Sequence, residues 1–560
     1  MDPKDDDEIS IDFGKIKNFF KSKEKGESKR EPSASKEGEN DGKLSIDFGK
    51  IKNFFKSGES AAAKPDDEIS INWSKVFGFF KKYGVIFIAL IPILLCIYIR
   101  IQTGSLQFTD DWASSTIINN IRSQIRAGID KQYLNLPDAN KNALVDKELQ
   151  RVMSQEKAQI DEKIEGTSVY FRSFFQDENG KNYMPDIDPY YWYRYAKNIV
   201  DHGHPGDTLK DGKPFDKYQL APNGRFVVPD QFHSYFLAYF YKFLHFFAPN
   251  LTLMRSMFYY PVVVSALCVL LVFLIARKIA GNIGGFFAGT MMAVNSAFLS
   301  RTLSPDNDAW NIFFTLIVTW LILETLGEER NIKVIIMSLL GGFFTGLFTI
   351  EWTGWWYIFD FLLGTIGLVF LYLVLTNIDK IKGNFMFVFS DRSIRNILIV
   401  GVLYLISTAL FTTLFSGWGI FTNSFLGPLN FPSIKAPVSS TSLWPNVLTT
   451  VAELNEGSID SIINSVGGRF LFFISLAGLL LAISSKEGIR TFDAVYIMGA
   501  IAFYAILYVK LGNAPALYQS MKITSLIIWI MIPILLRVAI SVYKKDSSYN
   551  FKLPILLSLW

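Results

Sequence analysis

The chain has 560 residues, of which 50% are hydrophobic, 15% aromatic and only 19% charged. The net charge of +4 is too small to indicate a nucleic-acid partner. Uninterrupted apolar runs such as Gly84–Ile99 and Tyr260–Ala276 approach bilayer-spanning length without a charge, which excludes a soluble enzyme as a description of the whole. The sequence therefore predicts an all-α polytopic membrane protein.

Residues 1–82 are polar and contain an internal repeat. Ser10–Ser22 (SIDFGKIKNFFKS) recurs letter for letter at Ser45–Ser57, and Ser70–Lys82 is a diverged third copy. Phe13, Ile16, Phe19 and Phe20 recur at helical spacing, with Lys15, Lys17 and Lys21 off that stripe. Such a helix suits an anionic membrane surface; partner docking and a simple solubilising tether are the other readings. No cleavable signal precedes the repeats, so the first apolar span, 83–101, acts as the targeting signal.

Ten spans are expected, near 84–101, 257–278, 282–300, 309–327, 331–350, 355–376, 395–416, 469–484, 491–509 and 521–542. Alternation places Lys81, Lys82, Arg277, Lys278, Lys380, Lys382, Arg392, Arg395, Lys486, Arg490, Arg537, Lys544 and Lys545 on one side. By the positive-inside rule that side is cytoplasmic, together with the N-terminal tail. Two long segments then fall outside. The first, 102–256, carries an inserted helical module at about 104–182, with one helix expected over Asp110–Lys131 and another over Asn140–Gly166. Its aromatic stretch Phe232–Phe247 reads as a helix lying at the interface. The second outside segment is 417–468, between the spans of 257–416 and those of 469–560.

Acidic clusters converge on this outer side: Asp186 and Asp188 within DIDPYYWYR, Asp306 and Asp308 within RTLSPDND, and Glu453 within TVAE. Acids this close to hydrocarbon are costly unless a cation or partner compensates them. Oxygen ligands from separate loops suit a hard ion such as Mn²⁺ or Mg²⁺ rather than zinc. Cys96 and Cys268 lie in separate spans, where neither a disulfide nor metal spacing is expected. The four histidines, His202, His204, His233 and His245, show no ligand spacing and read as packing or solvent-facing residues. Trp352, Trp355 and Trp356 read as an interfacial belt, with Glu351 an interface acid beside them. Asn250-Leu251-Thr252 is a glycosylation sequon on the outer side, and Asn72-Trp73-Ser74 one on the inner side.

DPYYWYR at 188–194, LSRTLSPDND at 299–308 and TVAE at 450–453 together resemble the signature set of oligosaccharyltransferase catalytic subunits. The likeness covers about 185–542, and the module before it looks like the insertions of archaeal members. It implies a GT-C type transmembrane domain with long external loops. It also implies en bloc transfer of an oligosaccharide from a dolichyl (polyprenyl) phosphate or pyrophosphate to the Asn of Asn-x-Ser/Thr. By motif, Asp188, Asp306, Asp308 and Glu453 hold the metal, and Asp188 and Glu453 are catalytic through the acceptor amide. Arg469 binds donor phosphate, and Arg194 and Arg301 orient the Asp clusters. The implied partners are the lipid-linked donor, the acceptor polypeptide and membrane lipids, in a single-subunit enzyme of the archaeal plasma membrane. The family carries more spans than ten, and its Trp-Trp-Asp-Tyr-Gly motif does not occur here, so the sequence reads either as a piece of a longer protein or as a member lacking the C-terminal soluble domain. Two other classes remain open: a glycosyltransferase moving one sugar from a polyprenyl phosphate, and a cation-coupled transporter.

Overall fold

In the computed structural model the described residues are 73–228, 231–427, 458–482, 491–513 and 523–543. Glu453 and the first two repeat copies lie outside them. Six helices are long and apolar enough to cross a membrane: Tyr83–Ser105, Leu253–Val294, Asp308–Thr325, Asn331–Phe348, Thr353–Thr376 and Arg392–Ser416. Helices are forced on such segments because hydrocarbon offers no partner for backbone N–H and C=O groups.

The first helix, α1 (Trp73–Ser105), contains the first of these spans and enters the first long loop segment. There α2 (Phe108–Gln132), α3 (Asp138–Gln155) and α4 (Lys157–Ser173) form a small module in which α3 and α4 both pack on α2. The single helix expected over Asn140–Gly166 is thus two helices, broken at Glu156 (φ −109°, ψ 22°). Buried Leu149 and Ile160 are eleven residues apart, close to three full turns, so the apolar stripe stays in phase across the break and periodicity alone does not reveal it. Next come α5 (Asp188–His202) and three short antiparallel strands, β1 (Thr208–Lys210), β2 (Lys213–Asp216) and β3 (Arg225–Phe226), paired in that order. Register pairs Thr208 with Phe215 and Asp216 with Arg225. This small sheet adds to the helical fold and has no counterpart in the sequence reading. The aromatic helix α6 (Phe232–Phe247) follows, with His233, Ser234, Leu237 and Ala238 buried and Tyr239, Phe243 and Phe246 exposed.

Leu253–Val294 is 42 residues, too long for one crossing. Within it α7 (Tyr260–Val294) turns at Gly281 (φ 73°, ψ −171°), a conformation open to glycine. A Cβ at Gly285 would lie 2.9 Å from the Phe273 carbonyl oxygen and 3.1 Å from Arg277 Cβ. The stretch after Gly281 therefore runs back along the stretch before it, as two crossings near 257–278 and 282–300. The short α8 (Ser296–Thr302) leads to α9 (Asp308–Thr325), then α10 (Asn331–Phe348), α11 (Trp356–Thr376) and α12 (Arg392–Ser416). Helices α10 and α12 form the most extensive helix pair. Small residues allow it: a Cβ at Gly342 would lie 2.5 Å from Ser407 Cβ, and one at Gly346 2.5 Å from Phe411 Cβ. Between them Thr345 and Tyr404 hydroxyls sit 3.1 Å apart, fixing the register.

Beyond residue 457, α13 (Ile459–Val466) meets α14 (Arg469–Ala482) at a 74° bend; α14 coincides with the span expected near 469–484, and α13 lies in the loop segment before it. Helices α15 (Thr491–Asn513) and α16 (Ile523–Tyr543) are shorter apolar helices over Val495–Lys510 and Ser525–Ile540. The end of the bundle opposite the long loops is pinned by ion pairs. Lys333 reaches Glu324 (2.9 Å) and Glu328 (2.8 Å), and Lys278 lies 3.5 Å from Glu324.

Candidate active site at the loop-rich end

Asp188 is the first residue of α5, where Pro189 suits the first helical turn and a carboxylate complements the helix N-terminus. It is exposed. Asp306 and Asp308 sit in and just after the turn between α8 and α9, both half-buried. Asn295 caps α8 by accepting from the Phe298 N–H (2.9 Å), which sets where that turn falls. Asp306 Oδ1 accepts from Trp192 Nε1 (2.8 Å) and from the Asn307 N–H (2.7 Å). Trp192 is one helical turn beyond Asp188, so α5 presents both residues on one face. The Asp306 carboxyl is pushed up, first by burial and further by the negative charges of Asp308 and Asp188, against the lowering effect of its hydrogen bonds. The charges of Asp308 and Asp188 thus both act on Asp306, although Asp188 lies 118 residues away in the chain. Arg301 Nη1 lies 3.4 Å from Asp308 Oδ2.

Arg194 is placed elsewhere. It pairs with Asp207 (2.9 Å) and Asp216, away from the residues it was expected to orient. Asp216 is fully buried and also accepts from Tyr195 OH (2.6 Å) and the N–H groups of Tyr218 and Gln219 (2.9 and 3.0 Å). A buried carboxylate takes the nearest guanidinium, so Arg194 ties the small sheet to α5. Arg469 opens α14 at the bend, 3.9 Å from Asp460. Four residues earlier, the Ser465 carbonyl accepts from Asn295 Nδ2 (2.6 Å), so this bend docks on the same residue that caps α8.

Three supporting residues escaped the sequence reading. His233 is fully buried; its Nδ1 accepts from Trp310 Nε1 (3.1 Å) and its Nε2 donates to the Pro305 carbonyl (3.3 Å). Burial pushes its pKa down to about 3, against the raising effect of the Pro305 bond, so the ring is neutral and its two partners set the tautomer. The Trp192 ring stands edge-on to His233 at 5.3 Å. Arg100, 1% exposed within α1, bonds Thr302 Oγ1 (3.0 Å) and the Ala293 carbonyl (3.1 Å) and lies over the Phe298 ring, fastening α8 from below. A lone His or Arg in an apolar run carries no spacing signal; Trp192 was visible in its motif but had no assigned role.

Of the tryptophans expected in an interfacial belt, Trp355 is buried, packed against Phe359, while Trp352 is exposed. Glu351 is buried. Cys96 and Cys268 are free thiols. Among the described residues no group of three His, Cys, Asp or Glu side chains is gathered tightly enough to hold a metal ion.

Crossing helices joined by short turns, with long loops bringing acidic groups to one end, define a polytopic membrane protein with a loop-borne site. The family described as oligosaccharyl transferase STT3, N-terminal, matches residues 158–554. The chain belongs to this family, and the GT-C type helical membrane architecture comes with it. It is similar to a dolichyl-phosphooligosaccharide-protein glycotransferase of Methanococcus voltae, 30% identical over 344 residues, covering 57% of this chain and 37% of that protein. A protein of the same name from Methanocaldococcus jannaschii is 24% identical over 405 residues, covering 58% of this chain and 43% of its own. The chain thus spans less than half the length of either relative. The apo crystal structure of the Archaeoglobus fulgidus oligosaccharyltransferase aligns with a TM-score of 0.36 at 16% identity, over 70% of this chain and 52% of that one.

Proposed function

We propose that this chain carries the donor side of an oligosaccharyltransferase site, moving an oligosaccharide from a dolichyl (polyprenyl) phosphate or pyrophosphate to the side-chain amide of Asn in Asn-x-Ser/Thr. The observation that carries the reading is the hydrogen bond from Trp192, on the helix that begins with Asp188, to Asp306 in the turn it shares with Asp308, which ties the two acid-bearing segments together. The donor set is carboxylate oxygen only, which fits a hard divalent ion such as Mn²⁺ or Mg²⁺ in kind. Asp188, Asp306 and Asp308 do not by themselves form a closed metal cluster among the described residues; they would hold the ion only together with Glu453. When bound, the ion supplies positive charge against the leaving phosphate.

The chain's own groups do the rest. Arg301 holds Asp308, and Arg469 offers a guanidinium to the donor phosphate from the bend docked on Asn295. A carboxamide nitrogen is a poor nucleophile because its lone pair is delocalised into the carbonyl. Asp188 and Glu453 accept hydrogen bonds from that amide, weakening the conjugation and aiming the nitrogen at the anomeric carbon. The site faces the outside of an archaeal plasma membrane, with the N-terminus cytoplasmic, in a single-subunit enzyme. This orientation is supported by the basic residues at the opposite end of the bundle. The test is donor binding against ion flux in proteoliposomes. Saturable binding of lipid-linked oligosaccharide without cation flux is expected; flux without donor binding would replace this reading with a transporter.

A further inference from the structure

The structure assigns Trp192 a specific task, which rests on the metal-site reading above: it is a positioning residue that turns the Asp306 carboxylate so that Oδ2 is the oxygen offered to a divalent cation. Both hydrogen bonds to Asp306, from Trp192 Nε1 (2.8 Å) and from the Asn307 N–H (2.7 Å), fall on Oδ1. A carboxylate with two donors on one oxygen is held against rotation about its Cβ–Cγ bond, and the other oxygen keeps its lone pairs.

The indole is itself held. It stands edge-on to Tyr191 (4.8 Å) and to His233 (5.3 Å). His233 is fixed at both ring nitrogens, by Trp310 at the start of α9 and by the Pro305 carbonyl beside Asp306. One helix therefore sends Asp188 to the site and, one turn later, the N–H that orients Asp306. This gives the aromatic stretch after Asp188 a chemical reason: Trp alone among the apolar rings brings a ring-edge donor with enough reach and stiffness. Supporting bonds of this kind are worth about ten- to a hundredfold in metal affinity where they have been removed.

The experiment titrates Mn²⁺ into the purified, detergent-solubilised chain at neutral pH, following the paramagnetic resonance signal of free Mn²⁺. Trp192→Phe keeps an aromatic ring, smaller than the indole, but removes the N–H; Trp192→His keeps a ring N–H on a ring smaller still; Asp306→Ala removes the ligand. Asp306→Ala is expected to abolish binding, Trp192→Phe to weaken it about tenfold or more, and Trp192→His to recover part of the loss. Affinity in Trp192→Phe within twofold of wild type, while Asp306→Ala binds nothing, would overturn the inference and leave the metal site standing. Equal weakening in Phe and His variants would also overturn it, because packing rather than the N–H would then be responsible. Wild-type protein that binds no Mn²⁺ would overturn the metal reading and this inference with it.

Discussion

Replacing Arg194 with Met isolates the clamp between α5 and the small sheet. Asp216 is wholly buried and Asp207 nearly so, while the guanidinium that pairs with both is 28% exposed. Removing one partner of a fully buried pair costs about 3–5 kcal/mol. Here Tyr195 and two backbone N–H groups continue to bond Asp216, and Arg194 is partly in water, so the loss is nearer ~2–3 kcal/mol. A cost of that size multiplies the local opening equilibrium by roughly 30- to 150-fold. Hydrogen exchange of the segment 207–226, read by mass spectrometry, should accelerate by that factor while the crossing helices keep their protection. Burial alone would raise the Asp216 carboxyl, but bonds from Arg194, Tyr195 and the backbone outweigh it and hold the group well below the ordinary carboxylate range. A depressed folded value means that this stabilisation is fully present above the ordinary carboxyl pKa and is lost as pH falls through the folded value. Protection of 207–226 should therefore be flat between pH 7 and 5. Unchanged exchange in Arg194→Met, or a loss of protection already at pH 5–6, would refute the reasoning.

Gly346→Val places a side chain 2.5 Å from Phe411 Cβ and 2.9 Å from its backbone carbon, so α10 and α12 must separate; a cost of about 1–3 kcal/mol should lower the thermal midpoint in detergent by several degrees. Gly364→Ala is the matched control, with nothing within 4 Å of the added methyl group, and should melt no lower than wild type. Arg100→Met removes the bonds to Thr302 and Ala293. Because burying a guanidinium is itself costly, the global midpoint should move little, whereas exchange across 296–307 should rise at least tenfold; equal exchange there would show that Arg100 does not hold α8.

The crossing helices were legible because apolar length and charge asymmetry are one-dimensional signals, and even the turn at Gly281 fell between two expected spans. The candidate carboxylates stood out because acids beside hydrocarbon are conspicuous. What stayed hidden was pairing. Arg194 sits six residues from Asp188 and invites a partnership with it, yet its partners Asp207 and Asp216 are delivered by a sheet of two to four residues per strand, too short for a period-two pattern to register. His233 and Arg100 do their work through contacts 72 and 202 residues away, which a local pattern cannot encode. The break at Glu156 was invisible for the opposite reason: the helical phase on both sides agrees.

The central claim is that acids from separate outer segments, Asp306 among them and Glu453 in the TVAE motif, serve one transfer reaction. Its most direct test follows a fluorescent Asn-x-Thr peptide by gel mobility, using the full-length protein in detergent with Mn²⁺ and total lipid extract from the source cells. A metal-dependent shift that is lost in both Asp306→Ala and Glu453→Gln is the predicted result. A shift that survives Glu453→Gln, or no shift while the lipid donor is demonstrably bound, would contradict the claim.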